Sequence, residues 1–302
     1  MKVLITGATG LVGEELTKLL LQNGFKVHYL TTSKKKIENQ TNYQGFYWNP
    51  KLGEIDIDCL LGVDAIIHLA GSSIAKRWTN KYKQEIIESR VLGATLLYTA
   101  LKSNPHQVKQ IVSASAVGIY PDSLTNNYSE EFSNHSNTFL SNVVIKWEDS
   151  VDQFSRLGLH VCKIRIGLVL SNNDGVLSQL VKPIRFGLGA IFGSGKQWQS
   201  WIHIKDLVRV FAYAIENNLQ GIFNAVAPNP VSHRDMMFTI ARKLHKPLFV
   251  PNIPKIIMKL ILGEMHTLLF ESQKVSSVKI QQLGFQFKYD TIDKALDELL
   301  QK

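Results

Sequence analysis

The stretch best suited to chemistry is TGATGLVG, residues 6–13. Gly7, Gly10 and Gly13 recur every third residue between a strand-like apolar run and an amphipathic helix-like one. A strand that turns tightly into a helix start presents backbone N–H groups and the positive helix end to an anion. A Cβ in such a turn would hold a diphosphate away. The context therefore predicts a dinucleotide site, with Gly7, Thr9, Gly10, Leu11, Val12 and Gly13 around the diphosphate. The end of the second strand decides which dinucleotide. A carboxylate there would bond the adenosine ribose 2′-hydroxyl and select NAD. The chain instead reads Thr31, Thr32, Ser33 and Lys34, with no carboxylate before Glu38. Hydroxyls and an ammonium suit a 2′-phosphate, so NADP(H) is favoured over NAD(H). The competing reading is that Lys34, Lys35 and Lys36 form only a solvated turn.

A second group combines aromatic and basic side chains. Arg77, Trp78, Lys196, Trp198, Trp201 and His203 come from two loop-like segments. If they converge, they wall a pocket for a planar or anionic substrate. Lobe packing is the competing role for Trp78 and Trp201, and structural hydrogen bonding is the competing role for His203. His68, inside an apolar run, reads as structural.

These residues need a scaffold, and the apolar patterning supplies one. Strand-like runs at Val3 to Thr6, Val27 to Thr31, Gly45 to Trp48, AIIHLAG, QIVSASA and HVCKIRIGLVL alternate with helical patterns. Asn80 to Ser103 and Phe139 to Leu157 are the longer helical segments. This alternation predicts an α/β fold with a doubly wound parallel sheet, helices on both faces and strands apolar on both sides. After Leu170 the pattern loosens. Residues 1–170 read as the dinucleotide-binding domain and 171–302 as a smaller, interleaved substrate lobe. WIHIKDLVRVFAYAIEN (201–217) reads as a helix, and GIFNAVA (221–227) as a strand able to return to the main sheet.

Composition narrows the function classes. The chain has 302 residues, 45% hydrophobic and 20% charged, which describes a globular protein. No apolar run is long enough to span a bilayer, and Ile253 to Leu262 reads as a short packed helix. No signal peptide is evident, and the two cysteines, Cys59 and Cys162, sit in apolar patterns, so cytoplasmic residence without metal or disulfides is expected. The net charge of +9 is scattered, so neither nucleic acid nor membrane is the expected partner.

TGATGLVG resembles the TGxxGxxG of the extended branch of the short-chain dehydrogenase/reductase superfamily. HLAG (68–71), SASAVGIY (113–120), KIRIGLVL (163–170) and WIHIKDL (201–207) resemble later segments of that superfamily. KRWTNKYKQEIIESR (76–90), FGLGAIFGSGKQWQSWIHIKDL (186–207), NAVAPNPVSHRDM (224–236) and QLGFQFKYD (282–290) narrow the resemblance. They look like the atypical extended family labelled sugar-nucleotide epimerase-like or cell-division-inhibitor-like, over nearly the whole chain. The resemblance implies a Rossmann-like NADP-binding domain with a small C-terminal substrate lobe. It adds Leu69, Ala70, Gly71, Glu85, Arg90, Ser113 and Leu168 to the cofactor set.

Hydride chemistry in that superfamily uses a Ser, a Tyr and a Lys, the last two as Y-x-x-x-K. One helical turn brings the ammonium beside the phenol and lowers its pKa. Ser115 takes the serine position, but Y-x-x-x-K is missing. In FLSNVVIKWEDSV (139–151), Leu140 stands for the Tyr and Val144 for the Lys, with Glu148 aligned to the usual acid. Lys146 is rotated about 200° around the helix from Val144. Tyr120 is the phenol left near Ser115 and a candidate acid from the loop. Arg90 falls where the superfamily carries an Asn facing the cofactor, with Glu85 as a candidate neighbour or orienter.

The leading expectation is an NADP-dependent oxidoreductase or epimerase-like enzyme acting on a small carbonyl or hydroxyl compound, nucleotide sugars included. The alternative is a non-catalytic NADP(H)-binding redox sensor. A homodimer through the helices beginning at Asn80 and Phe139 is a further expectation.

Overall fold

The computed structural model describes residues 1–172 and 175–301. Seven strands form its parallel core: β1 Lys2–Thr6, β2 Lys26–Thr31, β3 Tyr43–Asn49, β4 Ala65–His68, β5 Gln110–Ala116, β6 His160–Ile166 and, after two short strands outside this sheet (β7 Leu168–Leu170 and β8 Trp201–His203), β9 Gly221–Ala225. Their order is β9-β6-β5-β4-β1-β2-β3, all neighbours parallel, with two-residue antiparallel strands added along β3. The order reverses between β1 and β4. A doubly wound sheet opens its ligand crevice at such a switch point, outside the carboxyl ends of the strands. The strands are apolar on both sides because helices cover both faces: Val3, Leu4, Ile5, Ile66, Ile67, Ile111 and Val112 are fully buried.

Helix α1 (Leu11–Gln22) leaves the glycine turn, and α2 (Asn80–Ser103) follows β4. α3 (Phe139–Asp152) follows β5 and packs beside α2. Thr79 and Thr138 cap α2 and α3 by accepting from the N–H groups of Tyr82 and Ser141.

The run 160–170 is one strand by apolar pattern and two in the structure. Gly167 is the break: a Cβ there would stand 2.2 Å from the Ser200 carbonyl oxygen. The chain passes the second lobe at that point, and β7 pairs with β8 instead of the main sheet. The expected helix 201–217 divides likewise, into β8 and α5 (Ile204–Glu216), which packs on α1. The second lobe adds α4 (Val176–Arg185), α6 (His233–Lys243), α7 (Lys255–Leu262) and α8 (Ile292–Leu300). Trp201, Leu177, Ile184, Ile240 and Leu296 lie in its core.

The expected packed helix at 253–262 is a helix, but it is not packed. None of the residues of α7 is buried, and Ile256 and Leu260 are 68% and 78% exposed. Apolar composition says what a helix could bury, not that another element stands opposite. Among the described residues no helix is long and apolar enough to cross a membrane, and both cysteines are buried free thiols.

Candidate functional site

The turn after β1 is tight because its glycines let the backbone pack against its neighbours. Gly7 has φ +75°, and a Cβ on it would stand 3.0 Å from Ala70 N. A Cβ on Gly13 would stand 2.1 Å from the Gly7 carbonyl oxygen, so only glycine lets α1 pack this close to the turn. Gly10 is the N-cap of α1 and offers no capping side chain. The N–H groups of the first turn therefore stay open to a ligand. Thr6 fastens this turn to the end of β4. Its Oγ1 accepts from the N–H groups of Leu69 (3.2 Å) and Ala70 (3.1 Å) and lies 2.8 Å from His68 Nδ1. Burial lowers the His68 pKa to about 4 and keeps the ring neutral.

Beside the turn lies a cavity of ≈ 540 Å³. Thr9, Gly10, Thr31, Thr32, Ala70 and Gly71 line it. Ser33 and Lys34 do not. The Ser33 N–H bonds Thr31 Oγ1, and a tight turn at Lys34–Lys36 carries the Lys34 ammonium to 4.9 Å over the Tyr47 ring. Sequence reasoning missed Trp48, Asn49 and Lys51, which line this cavity from the end of β3. The WNPK stretch (48–51), an aromatic followed by turn residues at a strand end, was the available signal.

A second cavity, of ≈ 500 Å³, continues from the first past Leu69, Gly71 and Ser72. Leu11, Val12 and Leu168 line one part of it, and Ser115, Arg90 and Trp198 other parts. Leu140 and Val144 face into it from α3, so the positions that would carry Tyr and Lys present an aliphatic wall. Lys146 is exposed and lies outside it.

Ser115 lines the cleft, yet its hydroxyl is engaged below it, donating to Glu148 Oε1 at 2.5 Å. Arg165 grips the same carboxylate, Nε to Oε1 and Nη2 to Oε2, both 2.9 Å. Tyr120 belongs to this buried network and not to the cleft. Its OH accepts from Arg165 Nη1 (3.0 Å) and donates to Asn224 Oδ1 (2.9 Å), and its ring stacks on Tyr128. Burial raises its phenol above the ordinary range. The loop-acid role for Tyr120 is therefore corrected: its proton is committed and no ligand reaches it.

Other expected site residues lie elsewhere than the sequence suggests. Ser113 is fully buried and donates to the Ala114 carbonyl, away from both cavities. Arg90 does line the cleft. Its Nη1 donates to the carbonyls of Ser72 and Ile86, its guanidinium lies over Trp147, and burial lowers its pKa to about 10. Glu85 does not orient it; that carboxylate accepts from Ser72 Oγ instead. Of the aromatic and basic set, only Trp198 reaches the cleft. Arg77 and Lys196 are exposed, while Trp78 packs edge-on to Phe139 and donates to the Ile74 carbonyl. Trp201 is fully buried and donates to the Asn229 carbonyl. His203 caps α5, stacks on Tyr289 and bonds Glu298 at 2.6 Å. Trp78, Trp201 and His203 are thus tied into packing and hydrogen bonds, and His203 also borders a separate cavity of ≈ 370 Å³ beside Thr9, Gly10 and Leu11.

The cleft also takes Gln273 and Glu271 from the C-terminal segment, which no local motif marks. Burial pushes the Glu271 carboxyl up to about 7, with Asp122 adding to the rise and Lys255 opposing it.

The model of the NAD dependent epimerase/dehydratase family matches residues 3–225, the span from β1 to the end of β9. The chain belongs to the NAD dependent epimerase/dehydratase family. A second model, of a domain of unknown function (DUF1731), matches residues 253–299, so the cleft of this epimerase/dehydratase family member draws on both segments. The chain is 38% identical over 305 residues to an epimerase family protein of Staphylococcus aureus (strain MRSA252), covering 99% of each. It is 30% identical to the human epimerase family protein SDR39U1 (isoform 2), solved with NADPH, at a TM-score of 0.84 and 99% coverage of both chains. A nucleoside-diphosphate sugar epimerase of Corynebacterium glutamicum is 31% identical at a TM-score of 0.79, over 99% of this chain and 58% of that one.

Epimerase/dehydratase family membership makes a nicotinamide dinucleotide the implied cofactor, and the residues present fit it. The glycines hold the turn tight against β4 and α1, the helix start at Gly10 carries no capping side chain, and cavities extend to both sides.

Proposed function

We propose that this chain is an NADP(H)-dependent oxidoreductase or epimerase-like enzyme acting on a small carbonyl or hydroxyl compound, with nucleotide sugars the first class to test. The carrying observation is that the uncapped glycine turn opens onto a cleft continuing between β5, α3 and the second lobe. Gly7, Gly10 and the first N–H groups of α1 hold the diphosphate. Lys51, at the adenosine cavity, supplies the cation for a 2′-phosphate, with Lys34 nearby in place of a selecting carboxylate. The NADPH of the human relative and the nucleoside-diphosphate sugar named for the Corynebacterium relative support the same reading. When bound, the cofactor supplies a hydride acceptor or donor. The chain supplies a closed, largely aliphatic wall, the Arg90 cation and the second lobe's polar groups. Calorimetric titration with NADPH and NADH, followed by nicotinamide absorbance with nucleotide sugars and small ketones, tests the reading. Binding with no redox change across that panel would count against it.

Leu140 and Val144 at the proton-relay positions favour a second reading, a redox sensor. A sensor must present different surfaces when loaded with NADP+ and with NADPH. Identical hydrogen-exchange protection in the two loaded forms ends this reading.

A further inference from the structure

The geometry points to Glu271 as the group that takes and returns the substrate proton, replacing the missing phenol of this cleft. This rests on the hydride-transfer reading above. Glu271 lines the same cavity as Ser115, Trp198 and Gln273, half-buried. Among the described residues lining that cavity only Glu271 and Arg90 titrate, and Arg90 keeps its proton through the neutral range. The alternatives are engaged elsewhere: Ser115 bonds Glu148, and Tyr120 bonds Arg165 and Asn224. Neither Glu271 carboxyl oxygen has a hydrogen-bond or ion-pair partner among the described residues. A carboxyl without a hydrogen-bond or ion-pair partner among the described residues, lining the same cavity as the aliphatic Leu140 and Val144, is a functional group by position.

Its surroundings tune it for the task. Burial and Asp122 favour the protonated form, and Lys255 favours the ionised one. Asp122 is held in place, since its Oδ1 accepts from the Ser272 N–H at 2.8 Å. The balance lies near neutrality, where a group serves as both base and acid. In the oxidative direction the Glu271 carboxylate takes the proton of a secondary alcohol. The adjoining C–H electron pair leaves as hydride to the oxidised nicotinamide, so alcohol becomes ketone and carboxylate becomes carboxylic acid. In the reductive direction that acid returns its proton to the carbonyl oxygen as hydride comes back to carbon.

The test uses the full chain and the variants E271Q, E271D and D122N. Infrared titration of the cofactor-free protein should show a carboxyl ionising near pH 7 that is absent from E271Q and shifted to lower pH in D122N. E271Q should lose at least about a hundredfold in kcat, the usual size of a general acid–base contribution. It should bind NADPH within about twofold of the parent, and E271D should recover part of the rate. The kcat limb near pH 7 should vanish in E271Q and move in D122N in parallel with the infrared shift. The proposal is overturned if E271Q turns over within about threefold of the parent, or if no carboxyl titrates between about pH 6 and 8. If the parent binds NADPH but turns over nothing, the hydride reading fails and this role fails with it. Turnover that survives in E271Q removes Glu271 alone.

Discussion

Ser115 Oγ and Glu148 Oε1 are hydrogen-bonded at 2.5 Å between β5 and α3, beneath the cleft. Burial alone would raise the Glu148 carboxyl, but the hydrogen bonds and charge of Arg165 carry it below its ordinary value. The serine hydroxyl is thus joined to a carboxylate that is already ionised and gripped at both oxygens.

This arrangement predicts unequal costs. Arg165→Met leaves the Glu148 charge buried without its fork and should destabilise the fold by about 3–5 kcal/mol. Ser115→Ala removes one hydrogen bond and leaves Arg165 in place, so it should cost about 1 kcal/mol. Urea unfolding of the two variants measures the difference. Equal losses would show that the Arg165 fork is not what holds Glu148.

Gly13→Ala should abolish close packing of α1 on the turn, because its Cβ would overlap the Gly7 carbonyl oxygen. We expect NADPH affinity to fall at least about tenfold, or about 1.4 kcal/mol, with the far-ultraviolet circular dichroism retained. Unchanged calorimetric affinity would mean that the diphosphate sits elsewhere.

Lys51→Ala should weaken NADPH by about tenfold or more and leave NADH nearly unaffected, since a charge-assisted bond to a 2′-phosphate contributes about 1.5–3 kcal/mol. Lys34→Ala should act in the same direction but less, because its ammonium rests over Tyr47. Parallel losses for both nucleotides would remove the 2′-phosphate assignment.

Acid should destabilise this protein through two histidines. Burial lowers His68 and His233 from 6.5 to about 4, so the folded state favours their neutral rings. The unfolded chain binds more protons between those values. Stability from each ring is therefore complete above pH 6.5 and lost as pH falls toward 4, at up to about 1.4 kcal/mol per unit. Chemical denaturation from pH 7 to 4.5 should show this slope, reduced in His68→Asn. A flat profile in the parent protein would mean that these rings protonate freely when folded.

Much of the fold and part of the site are local in origin. The glycine turn and the alternation of apolar strands with helices can be read from spacing, because period and turn chemistry act over a few residues, while the aliphatic Leu140 and Val144 gain meaning only from the family resemblance. The parallel sheet follows from that alternation. Gly167 shows the limit: an unbroken apolar run hides a strand break that depends on Ser200, far along the chain.

By itself, then, the sequence determined the tight glycine turn and the sheet that carries it, and the resemblance added the absence of Y-x-x-x-K. Only the tertiary structure decided which polar groups line the cleft. It placed Trp198 in the cleft and Trp201 in the lobe core, bound Ser115 and Tyr120 into the Arg165 network, and brought Glu271 to the cleft wall from the far end of the chain. The physical reason is that a side chain's chemistry depends on its burial and its partners. Here those partners come from segments that share no local pattern and meet only when the second lobe closes on the sheet.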